Sequence, residues 1–237
     1  VVRPALAGGA LSQRDGKGFG DAAVIRIGTS AKDTGWNESA CQLIEKLVRD
    51  LLQTSEWTAG ELQLDYDCPQ KRLNDYAKLL RHLRDAFPEK RITFTALPSW
   101  LEEGEFRKLA SVADSYVLQV HSLQIPKGPT SEVILIDEEV ARTAVEKAEA
   151  MGRPFEVALP TYSCFVMFSA EGGQVVDVVS EDLPEQWPVS VGRIRLGQTD
   201  PAAMVRLMEG WRESRPPEMT GVIWYRLPVA SDEMNWS

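Results

Sequence analysis

Residues 61–69 read ELQLDYDCP, and the fold turns on how that stretch is read. Side chains alternate faces along a strand, so Leu62, Leu64 and Tyr66 point one way while Gln63, Asp65 and Asp67 point the other. The first face is that of a buried strand; the second becomes acidic just where the strand ends. A parallel strand in an open doubly wound sheet is covered on both faces and reads as apolar throughout. In a (β/α)8 barrel one phase turns inward and ends at a solvent-reachable mouth, which is where active sites form.

Working outward, strands and helices alternate. AVIRIGT (23–29) precedes a helix over about 38–53, and ELQLDYD precedes a helix in which Leu73, Tyr76, Leu79, Leu80 and Leu83 recur at helical spacing. RITFTALP (91–98), SYVLQVHS (115–122), PFEVALPTYS (154–163) and GVIWYRLPV (221–229) read as further strands. Between them lie helices at EFRKLASVA (105–113), DEEVARTAVEKAEAM (137–151) and DPAAMVRLMEGWRES (200–214). Asp137 can cap the second of these and Gly152 can end it, while Asp200 followed by Pro201 opens the third. The mixed phase recurs from strand to strand: Arg26, Thr93 and Thr95, Gln119 and His121, Glu156 and Tyr162, Trp224 and Arg226. This pattern predicts an α/β fold of the (β/α)8 TIM-barrel type, with the first one or two βα units lacking or only partly covered. GGALSQRDGKGFG (8–20) is glycine-rich but follows no strand, so it is read as a flexible segment rather than a phosphate cradle. Residues 1–22 are thus expected to be flexible or the remnant of an early barrel unit. Residues 23–237 form the barrel domain, and GGQVVDVVS and VSVGRIRLG suggest a β-hairpin inserted near 174–196.

Composition narrows the function. The 237 residues carry a net charge of −9, with acidic residues scattered, which disfavours a nucleic-acid surface. No run reaches the roughly 18 apolar residues that span a bilayer. Three cysteines are too few for a disulfide framework, and with two histidines there is no zinc-type spacing. No cofactor or metal is expected. The chain opens on Val1, which leaves room for an upstream signal and for an exported or periplasmic location.

LQLDYDCP with LNDYAKLL, ITFTALPSWL, YVLQVHS, ALPTYS and GVIWYRLPV together resemble an uncharacterised bacterial family of unknown function. The similarity runs from about Ala23 to Pro228. It implies a TIM barrel related to glycoside hydrolases, in which members usually carry an additional N-terminal strand region. The chain is also distantly similar to chitinase-like barrels, whose fourth strand bears alternating acids ending in a catalytic glutamate. In phase, Gln63, Asp65 and Asp67 occupy those positions, making Asp67 the proton donor and Asp65 its tuning partner. Gln63 stands where that pattern has an acid, and Asp67 is shorter than Glu. The other phase places Pro69 at the donor position and abolishes the chemistry.

The residues support a site independently of that likeness. Same-face neighbours on a strand have Cα atoms about 6.6 Å apart, so two carboxylates in a poorly solvated mouth repel and one holds its proton more tightly. A protonated acid beside an ionised one suits leaving-group protonation in glycoside hydrolysis. The plainer alternative is that Asp65 and Asp67 pair with Arg26 and Arg226 and hold the mouth together. Trp36, Trp100, Trp187, Trp224 and Trp236 fall on or after strand ends, where flat rings can stack on sugars or anchor loops. The candidate substrate contacts are Arg26, Gln63, Trp100, Gln119, His121, Tyr162, Trp224 and Arg226. The expected ligand is a glycan or another small molecule, and the oligomeric state is open. A non-catalytic carbohydrate-binding barrel is the alternative. A metal-dependent hydrolase using Asp65, Asp67 and His121 is the third reading.

Overall fold

The computed structural model describes residues 2–3, 22–28, 35–54, 59–180, 187 and 191–225. A seven-stranded sheet has the order β1-β2-β3-β4-β5-β6-β10. Its strands are β1 (Val2–Arg3), β2 (Ala22–Ile27), β3 (Glu61–Asp65), β4 (Arg91–Ala96), β5 (Ser115–Gln119), β6 (Phe155–Pro160) and β10 (Met219–Tyr225). From β2 to β5 each pairing is parallel. The Phe155 N–H donates to Glu218 O at the start of β6 and β10, and the Thr161 N–H to Tyr225 O at their ends, as parallel neighbours require. Strand order follows chain order without the reversal that defines a doubly wound sheet. The two-residue β1 pairs antiparallel with β2.

The helices α1 (Glu38–Thr54), α2 (Leu73–Ala86), α3 (Gly104–Val112), α4 (Glu138–Glu149) and α5 (Pro201–Glu213) stand where periodicity placed them. Asp137 Oδ1 accepts from the Glu139 and Val140 N–H groups, and Asp200 Oδ1 accepts from Ala202 N–H. Each side-chain oxygen satisfies donors that the first helical turn leaves free. Gly152 takes φ +65 just past α4, where a side chain would be strained.

The chain forms two compact units. The first comprises Val1–Leu118, Lys147–Glu156 and Glu218–Thr220. In it the apolar phase of the strands (Ile25, Leu62, Leu64, Ile92, Phe94, Tyr116) is buried, as are Tyr76, Leu79 and Leu80 of α2 and Phe106 and Leu109 of α3. A run of ring contacts threads this core: Tyr66–Tyr76 at 5.2 Å, Tyr76–Phe94 at 5.8 Å, Phe94–Tyr116 at 5.7 Å and Tyr116–Phe155 at 5.6 Å. Such offset and edge-on pairs add to the burial of large apolar area.

The second unit comprises Gln119–Glu146, Val157–Pro217 and Gly221–Ser237. It holds a separate antiparallel sheet, β7 (Ser163–Ser169), β8 (Val175–Val179) and β9 (Val191–Gln198), in the order β8-β7-β9. The two segments expected to pair as a hairpin therefore flank β7 instead of meeting each other. SCFVMFS (163–169) is apolar enough to be the covered centre, whereas β8 and β9 are half-exposed. Cys164, Val166 and Phe168 pack with Val133 and Leu135 beneath this sheet. A Cβ at Gly197 would run into the Val133 side chain, which explains glycine there.

Candidate functional site

Strand register assembles the acidic site in the first unit. Arg26 and Asp65 are Cα partners across β2 and β3, so their side chains share a face, and Arg26 Nη1 donates to Asp65 Oδ2 at 2.9 Å. On the other flank the register brings Thr95 level with Asp65, and Gln63 Nε2 lies 3.5 Å from Thr95 Oγ1. Asp65 is thus tied to one neighbouring strand and flanked by the other. Its side chain is 13% exposed. Burial pushes its carboxyl above the usual aspartate range, Arg26 and Thr95 oppose that, and the nearby Asp67 charge reinforces it.

Asp67 differs. Its side chain is 40% exposed, its Oδ2 stands 3.7 Å from Arg26 Nη2, and its Oδ1 has no hydrogen-bond partner. Below the pair the strand end is pinned, with Tyr76 OH donating to Leu64 O at 3.1 Å and the Cys68 N–H to Tyr66 O at 2.8 Å. Trp36 packs edge-on against Tyr66 at 5.5 Å. One carboxylate is therefore tied to Arg26, and beside it the other is partly exposed, with its Oδ1 buried and unpartnered.

A second polar group occupies the opposite end of the same strands. Thr93 Oγ1 donates to Glu61 at 2.7 Å, Arg91 lies 3.7 Å from Glu61, and Arg91 donates to Ser115 at 3.1 Å. Burial first, then Glu61, raises the Glu156 carboxyl above its ordinary range. Glu156 thus belongs with the N-terminal end of the strands, away from Asp67.

In the second unit His121, Tyr162 and Tyr225 form a ring cluster. Tyr225 stacks on His121 at 5.1 Å and Tyr162 meets it edge-on at 5.6 Å, with Tyr162 OH 3.3 Å from His121 Nδ1. His121 is 2% exposed, its Nε2 has no partner, and burial pulls the imidazole down to about 4. Gln119 Nε2 donates to His121 O at 3.2 Å. The imidazole is thus neutral near pH 7.

Several expected residues stand elsewhere. Trp100 is 1% exposed, because the 3-10 turn Pro98–Trp100 folds its ring back onto Tyr76 at 6.3 Å, so it is a core residue and contacts no ligand in this conformation. The ring that β10 stacks on His121 is Tyr225, one residue past the half-buried Trp224. His82 Nε2 lies 2.8 Å from Glu45 Oε2. Trp187 is exposed and meets Phe165 edge-on at 5.6 Å. Arg226 and Trp236 lie outside the described residues. Cys41, Cys68 and Cys164 are buried free thiols, and burial pushes Cys164 up to about 11, which suits structural roles. Thr95 and Tyr225 were not among the expected site residues. Thr95 sat in the mixed phase, where its strand position was the available signal; Tyr225 sat in the other. Among the described residues no three His, Cys, Asp or Glu side chains are grouped to hold a metal ion, and no helix is long and apolar enough to cross a membrane.

No curated protein matches the chain significantly in sequence. Solved structures match its fold. One is a protein of Bacillus subtilis, ydhD, assigned as a sporulation-specific glycosylase: TM-score 0.56 at 16% identity, over 83% of this chain and 77% of that one. Another is the C-terminal domain of a protein of Desulfitobacterium hafniense assigned as a chitinase: TM-score 0.56 at 12% identity, over 85% and 72%. The spore cortex-lytic enzyme SleL of Bacillus cereus matches at TM-score 0.51 and 13% identity, over 87% of this chain but 56% of its own. Identities this low speak for fold alone, and the fold is of the TIM-barrel type. The profile of one family matches residues 21–230, and the chain belongs to that family, the domain of unknown function DUF3142.

Proposed function

We propose that the protein acts on a glycan as a glycoside hydrolase, with Asp67 as the acid and Asp65 as the charge that tunes it. One observation carries this reading: two carboxylates two residues apart, Asp65 tied to Arg26 and level with Thr95, Asp67 half-exposed with its buried Oδ1 unpartnered. A clamped carboxylate cannot turn away from its neighbour, so its charge acts from a fixed position, and preorganised charge is what catalysis by proton transfer uses. With Oδ1 buried, Asp67 would meet a sugar or leaving-group oxygen through Oδ2, as an acceptor or, once protonated, a donor. Likeness to proteins named glycosylase, chitinase and cortex-lytic enzyme makes chitin oligosaccharides and spore-cortex or peptidoglycan fragments the first probes.

A second reading has its own support. Arg26 lies within ion-pair distance of both carboxylates, and a guanidinium shared between them suits a barrel that binds a glycan without cutting it. Reducing-end release from those probes, run beside calorimetric binding, separates the two. Release supports hydrolysis; binding without release gives the protein to recognition; neither, across a broad glycan panel, overturns the carbohydrate reading.

A further inference from the structure

Resting on the reading of Asp65 as the tuning charge, we infer that Thr95 is a positioning residue of the site, its hydroxyl oriented by Gln63 so that its single proton goes to Asp65. The argument starts from hydrogen-bond inventory. A threonine hydroxyl has one proton and two lone pairs, and a glutamine amide donates through nitrogen only. Gln63 presents Nε2 to Thr95 Oγ1 at 3.5 Å. Thr95 therefore accepts from Gln63 and its proton is left for a neighbour. The neighbour that the register brings level with Thr95 is Asp65, whose carboxylate when ionised can only accept.

Register makes the arrangement specific. Gln63 pairs with Thr93 across β3 and β4, so Thr95, two residues on, comes level with Asp65, while Arg26 is level with it on the β2 side. Asp65 thus faces a donor-bearing side chain on each adjacent strand, Arg26 bonded to it and Thr95 level with it. Thr95 is also 8% exposed, so water cannot readily take over the hydroxyl. The glutamine at position 63 has a consequence here. An acid at that position could accept the threonine proton or share a proton with Asp65 directly. Glutamine instead enforces one direction, from Gln63 through Thr95 to Asp65.

The test uses the full chain and reads Asp65 itself, by carbon-detected NMR of side-chain carboxyl groups assigned with Asp65→Asn. Thr95→Val removes the hydroxyl at constant shape; Thr95→Ala does the same if valine disturbs folding, and Thr95→Ser restores the hydroxyl. Losing a donor to the charged form should move the Asp65 titration to higher pH in Thr95→Val or Thr95→Ala and return it in Thr95→Ser. An Asp65 titration identical in the hydroxyl-free variants and the wild type overturns the inference. Where a glycan is turned over, the pH profile of kcat should shift in Thr95→Val and recover in Thr95→Ser. Absence of turnover in every form would sink the hydrolase reading, while the NMR titration would still decide the role of Thr95.

Discussion

Arg26 and Asp65 face each other across two parallel strands, 39 residues apart in sequence, and the guanidinium closes on the carboxylate at 2.9 Å. The pair is nonetheless not a simple stabilising clasp, because burial outweighs Arg26 and keeps the carboxyl above its ordinary range. An ion pair taken partly out of water gives back in desolvation much of what it gains in attraction.

That balance fixes the sign of a stability effect. With the folded value raised, Asp65 stabilises the fold fully below the ordinary aspartate value of about 3.9, and this contribution is lost as pH rises through the raised value. Asp65→Asn is permanently neutral and nearly isosteric, and the half-exposed Arg26 can rehydrate. Urea titrations should find the variant as stable as the wild type or more so at pH 7, with the advantage closing toward pH 3. Marked destabilisation at pH 7 would instead make the pair a structural tie.

Asp67→Asn keeps size and hydrogen-bonding capacity but removes the transferable proton. General acid help is worth about 10²–10⁴-fold in rate. Turnover of a responsive glycan should fall by that order with affinity retained, and thermal unfolding should stay within about 0.5 kcal/mol, as for a residue outside the core. Full turnover in this variant would remove Asp67 from the mechanism.

His121 predicts acid sensitivity. Its imidazole is held down at about 4 by burial, so it stabilises the fold fully above the ordinary histidine value near 6.5 and loses that contribution as pH falls from there through 4. The drop from 6.5 to about 4 corresponds to roughly 3 kcal/mol. His121→Asn keeps a group able to accept from Tyr162, and although losing the stack on Tyr225 should lower stability throughout, the curve between pH 7 and 4 should flatten. An unchanged slope would assign the acid sensitivity to other groups.

Trp100 offers the opposite contrast. As a fully buried ring against Tyr76 it should cost about 3–5 kcal/mol on truncation to alanine. Trp100→Phe should be milder and leave glycan affinity unchanged. A selective loss of affinity without loss of stability would return Trp100 to the binding surface.

The sequence alone determined the alternation of strands and helices, the buried phase of each strand and the caps at Asp137 and Asp200. These follow from backbone hydrogen-bond geometry, which imposes periods of 2 and 3.6 residues and leaves orphan donors at helix starts. It also placed Asp65 and Asp67 on one face at a strand end, because alternation is local. Tertiary structure decided which of the two is clamped, since that depends on Arg26 and Thr95 arriving level with Asp65 from strands far away in sequence. It likewise decided that Trp100 turns into the core, that Tyr225 rather than Trp224 stacks on His121, and that β7 stands between β8 and β9. Burial and register are properties of neighbours brought together by folding, and no local pattern encodes which neighbour arrives.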